Sequence, residues 1–86
     1  MELSMIKQYL KVDLEDDDEL ILSMQKAAEA YMENAGVTCG YESDLYQLAI
    51  LLLVTNWYEN RNAVLVGTVS NKLEYSLKHI LAQLMD

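Results

Sequence analysis

Proline is missing from this chain, and glycine occurs only at Gly36, Gly40 and Gly67. Those three positions are left to punctuate a sequence that is otherwise free to stay helical. Cysteine is represented by Cys39 alone, which excludes an internal disulfide and suits a reducing compartment. No histidine is recognisably paired with it, so Cys39 reads as structural or incidental. His79 is the sole histidine, which excludes a two-histidine metal site and leaves it a surface or packing role. Three isolated glycines cannot build a phosphate-cradling loop. Basic residues are scarce as well: 6 against 14 acids, for a net charge of -8. Such a surface is repelled by phosphate, which argues against sequence-specific nucleic-acid binding and against anionic membranes. Proteins with a basic or mixed face are the better partners. Long apolar runs are lacking too. The richest, Leu48–Val54, falls far short of the roughly 20 residues a spanning helix needs. The stretch Met1–Leu10 contains Glu2, Lys7 and Gln8 and has no apolar centre of the kind a secretory leader requires.

What the chain has in quantity is aliphatic surface. Apolar residues make up 52% of 86 positions, enough for one small core and some excess. A chain of this size buries only about 60% of its unfolded surface and is marginal alone. Residues 1–86 are therefore expected to form a single domain whose surplus apolar surface meets a partner or further copies of itself.

Periodicity predicts an all-α fold: a small bundle of about four helices, one short and N-terminal, two long and central, one C-terminal. Ser4 is a candidate cap for the first, with Leu3, Ile6 and Leu10 on one face. The second should run from about Asp17 to Asn34. Its predicted inner stripe is Leu20, Ile21, Met24, Ala27, Ala28, Tyr31 and Ala35, with Gln25, Lys26, Glu29 and Glu33 outside it. Leu22 stands nearly opposite the stripe and is a candidate subunit or partner contact. The third helix should begin at Ser43 or Asp44, capped by Ser43, and run to Asn60. Leucine, isoleucine and valine occur on nearly every side of it, the pattern of a helix buried on most sides by its own chain, by neighbouring copies, or by both. Asn56 within it would then need internal hydrogen-bond partners. Arg61 to Lys72 breaks the period and reads as an extended or hairpin-like loop. Its apolar side chains, among them Val64, Leu65, Val66 and Val69, are candidates for contact with a neighbour. A last helix should span about Leu73 to Met85, with Leu77, Ile80, Leu81 and Leu84 inward.

The chemistry-bearing patterns dissolve when tested. Six carboxylates fall within seven positions from Asp13 to Glu19. A calcium loop starting at Asp13 requires glycine sixth and glutamate twelfth, where this chain has Asp18 and Met24. The run is better read as a helix start, Asp16 capping, Glu19 reaching back and the other acids favouring the positive end of the helix dipole. Glu42-Ser43-Asp44-Leu45 opens a helix in a small acidic protein, as the modified serine does in acyl carrier proteins. Their Asp-Ser-Leu motif is broken here by Asp44. No catalytic set and no cofactor site is found, and the chain is not expected to be an enzyme.

One segment is more specific. Leu51-Leu-Leu-Val-Thr-Asn-Trp-Tyr-Glu-Asn-Arg-Asn-Ala-Val64, an aliphatic helix running into Trp57, Tyr58, Glu59, Asn60 and Arg61, resembles the phage head–tail connector family, the small adaptor and head-completion proteins of long-tailed bacteriophages. Leu3–Asp13 resembles the family's opening, a short helix followed by the step Lys11-Val12-Asp13, and Leu73–Leu84 resembles its closing helix. The chain departs from the family pattern in carrying Asn56 where a histidine often precedes the tryptophan, and in having no proline before the last helix.

The resemblance implies a structural virion protein at the head–tail interface, made in the host cytoplasm. It would assemble under the portal protein after DNA packaging as a homo-oligomeric ring, dodecameric when assembled and monomeric when free. The ring would extend the DNA channel and present a docking platform to a downstream stopper, head-completion or tail protein. The competing reading is a generic acidic helical interaction domain, followed by a carrier-like protein modified at Ser43. Within the signature, Trp57 and Tyr58 are expected chiefly to close the end of the bundle, with Glu59 and Arg61 securing the segment that follows.

Overall fold

The computed structural model of the chain describes residues 1–13, 15–60 and 71–85. They form four helices and, among the described residues, no strand: α1 (Leu3–Leu10), α2 (Asp18–Asn34), α3 (Asp44–Glu59) and α4 (Asn71–Leu84). The expected loop lies outside the described residues apart from Asn71 and Lys72, which already belong to α4. Arg61, Val64, Leu65, Val66 and Val69 therefore lie outside them too.

Helix α3 is the organising element, since α1, α2 and α4 all pack against it. Its start is fixed as expected: Ser43 is extended, and its hydroxyl accepts a hydrogen bond from the Tyr46 N–H at 3.3 Å. Tyr46, Ala49, Ile50, Leu53, Val54 and Trp57 make its buried side. Ile6 of α1, Ile21, Met24, Ala28 and Met32 of α2, and Leu73, Leu77 and Ile80 of α4 close over them. Its own chain covers α3 only in part, and the burial by neighbouring copies that the sequence also allowed is not tested by a single protomer. Leu48 is 40% exposed, while Leu45, Leu51, Leu52 and Asn56 are only half-buried. Three helices cannot enclose a fourth when one of them has only eight residues. Being half-buried, Asn56 does not need the fully internal partners expected of it.

Both helix ends on the N-terminal side are sealed by left-handed residues. After α1, Lys11 takes φ 61°, its N–H reaches the Gln8 carbonyl, and the Val12 N–H returns to the Lys7 carbonyl at 2.9 Å. After α2, Gly36 takes φ 98° and the Val37 N–H returns to the Met32 carbonyl at 3.1 Å. A Cβ at Gly36 would also stand 3.1 Å from the Met85 methyl, so this position needs glycine on two counts.

Two expected caps are not formed. Helix α1 starts after Glu2, without a side-chain cap, and Ser4 lies inside the helix. Helix α2 starts after Asp17, again without one, so the Asp16–Glu19 capping box is absent. The buried face of α2 is also rotated from the predicted stripe. Met32 and Gln25 are buried, whereas Leu20, Ala27, Tyr31 and Ala35 are only half-buried.

Candidate interaction site

The side chains around α1 explain why Gln25 is buried. One Gln25 N–H group donates to the Met1 carbonyl at 3.2 Å and the other to the Tyr41 hydroxyl at 2.9 Å. Tyr41 in turn donates a short hydrogen bond to the Glu29 carboxylate. Burial, reinforced by that neighbouring carboxylate, pushes the Tyr41 phenol well above the usual tyrosine range. Burial, together with the field of Glu29, also raises Tyr46, whose ring meets Tyr41 edge-on at 5.1 Å. Lys7 of α1 completes the attachment with an ion pair to Asp18 at 2.7 Å. Short as it is, α1 is therefore held on α2 by one ion pair and one side-chain hydrogen bond, besides the burial of Ile6.

At the opposite end of α3 the aromatic cluster divides its work. Trp57 is wholly buried. Tyr58 is half-buried and donates its hydroxyl to the Asp17 carboxylate at 2.5 Å, linking the end of α3 to the start of α2 across 41 residues. Glu59 and Asn60 are exposed, and the Asn60 amide donates to the Asn56 carbonyl at 2.8 Å. Asp17, expected only to favour the helix dipole, is thus a structural acceptor. Sequence reasoning had no signal for it, because its partner lies so far along the chain.

Four surfaces remain open. A groove between α1 and α3 is lined by Met1, Met5, Gln8, Tyr9 and Leu51. Met5 is 50% exposed and Tyr9 47%, and Leu48 lies one turn before Leu51 along α3. On α2, Leu22 is 40% exposed, as its position opposite the stripe suggested. A notch at the end of α2 is lined by Glu29, Glu33, Val37, Thr38, Cys39 and Tyr46. On α4, Tyr75 stands largely in solvent with its ring edge-on to His79 at 5.7 Å.

These surfaces suit binding better than bond-making chemistry. The notch brings carboxylates and the Cys39 thiol together without a histidine to act as base, because His79 is on α4. Among the described residues no three His, Cys, Asp or Glu side chains converge as a metal site would require. No described helix is long and apolar enough to cross a membrane. The α1–α3 groove, in contrast, groups methionine, tyrosine and leucine in one patch, the composition of a protein contact.

Compared with known proteins, residues 1–84 match the family model described as phage gp6-like head-tail connector protein. No curated protein and no solved structure matches the chain.

Proposed function

The chain belongs to the phage gp6-like head–tail connector family, and from that premise we propose that it is the adaptor that forms a ring beneath the portal once the genome is packaged. The ring extends the DNA channel and gives the next head-completion or tail protein a surface to dock on. The observation that carries this reading is the open apolar groove between α1 and α3, with Met5, Tyr9 and Leu48 each 40% exposed or more. A small chain that leaves such side chains in water gains by covering them with a neighbour, and a contact between two different faces propagates into a closed ring.

In this reading Leu22 is a further contact on the α2 side. Val64, Leu65, Val66 and Val69 contribute on the strength of their apolar character alone. Trp57 acts inside the protomer, fixing the end of α3 rather than meeting a partner. The net charge of -8 also suits a channel wall, because a negative lining repels passing DNA instead of retaining it.

The test is to mix the purified protein with the portal from the same genome, separate the mixture by size exclusion and image it by negative-stain microscopy. An additional ring stacked on the portal supports the reading and identifies the docking end. A well-formed portal that gains no density refutes it.

A further inference from the structure

The outer face of α4 differs from the rest of this acidic surface. Lys72, Tyr75, Lys78 and His79 are all exposed there, and Tyr75 is 69% in solvent. Glu74 is the lone acid among the described residues of α4, and no ion pair joins it to Lys78 one turn later. Among the described residues the only ion pair is Lys7–Asp18, so the ammonium groups of Lys72 and Lys78 have no carboxylate partner among them. Asp13, Glu15, Asp16 and Glu19, at the junction of α1 and α2, are equally exposed and make no ion pair among the described residues. The two patches belong to different parts of the fold. Among the helices α4 packs on α3 alone.

We infer that these two faces meet between copies: the Lys72–Tyr75–Lys78–His79 face of one protomer docks on the corner that carries Asp13, Glu15, Asp16 and Glu19 in the next. The inference rests on the ring reading above and says how neighbours are ordered within it. Three features of the protomer support it. The charges are opposite, neither set is paired among the described residues, and the patches sit on separate elements, as a head-to-tail contact requires. Exposed ion pairs add little affinity individually. Their role is to set which face meets which, while the apolar groove supplies most of the adhesion. Tyr75 and His79, their rings edge-on to each other, add an aromatic pair at the centre of the contact, where it excludes water from the flanking charges.

The test compares three charge-reversed proteins with the wild type, each first shown by circular dichroism to be folded. One carries Lys72→Glu and Lys78→Glu, one carries Asp16→Lys and Glu19→Lys, and the third carries all four changes. Each is mixed with the portal, and the fraction of portals bearing a ring is counted. Like charges facing each other should lower ring occupancy at least about tenfold in either single-face variant. The four-fold variant, whose charges are again opposite, should recover to near the wild-type level. Wild-type rings should also thin as salt rises from about 0.1 M to about 1 M, which shortens the screening length from about 10 Å to about 3 Å. Normal rings from both single-face variants would overturn the inference and leave the ring reading intact. Loss without recovery in the four-fold variant would also overturn it, by placing the lost contact on the portal. A wild-type protein that forms no ring would remove both readings together.

Discussion

Replacing Trp57 by alanine is the most demanding test of the fold as described. The side chain has no exposed surface, and it is the only tryptophan in the chain. An indole buries about 150–250 Å². At roughly 25 cal/mol per Å² that corresponds to about 4–6 kcal/mol of transfer energy. Alanine retains part of this and the core relaxes around the void, so a cost of about 3–5 kcal/mol is expected. A domain of this length is stabilised by only about 4–13 kcal/mol in total. The substitution should therefore lower Tm by roughly 12–40 °C, or unfold the protein outright. Urea denaturation followed by far-ultraviolet circular dichroism is the appropriate assay, since the variant has lost its indole fluorescence. A loss below about 1 kcal/mol would refute the placement of Trp57 in the protomer core. Normal stability together with failed assembly would move the residue to the contact between copies.

Three further outcomes are expected. Tyr58→Phe removes the donor to Asp17 and should cost about 1.5–3 kcal/mol in urea denaturation, while an unchanged midpoint would mean the 2.5 Å contact contributes nothing net. Gly36→Ala forces a side chain into a φ of 98° and against Met85, and should cost about 1–3 kcal/mol by thermal melting; equal or greater stability would contradict the turn geometry. Tyr41 and Tyr46 should titrate above the ordinary tyrosine value of about 10. Because their folded values are raised, the stability they contribute is fully present below about pH 10 and is lost as pH climbs toward the folded values. Phenolate absorbance should therefore show these two ionising late or together with alkaline unfolding, and ordinary titration of all six tyrosines would exclude the Gln25–Tyr41–Glu29 network.

Where the controlling interaction is local, the sequence announced it. Ser43, three residues before the N–H it caps, was identifiable by spacing, and so were Gly36 as a helix stop and Leu22 as an outward leucine. Where the partner is distant, local patterns misled. Gln25 falls outside the stripe that helical spacing predicts, yet it is buried, and Met1 and Tyr41 accept its amide hydrogens in the fold. Its burial helps turn the face of α2 toward Met32. Asp16 and Glu19 had the spacing of a capping box, but α2 starts after Asp17, whose carboxylate serves Tyr58 instead. The open side of α3 was hidden for a different reason. A helix rich in leucine on every side has the same sequence whether its last face is covered by its own chain or left for another.

The hydrogen bond from Gln25 to the Met1 carbonyl has a practical corollary. It pins the first peptide unit at the mouth of the α1–α3 groove, and the Met1 side chain forms part of the groove wall. An affinity tag fused ahead of Met1 would emerge within the surface that neighbouring copies are proposed to cover. A tagged preparation could then behave as a well-folded, inert protomer, and proteolytic removal of the tag would be the step that allows assembly.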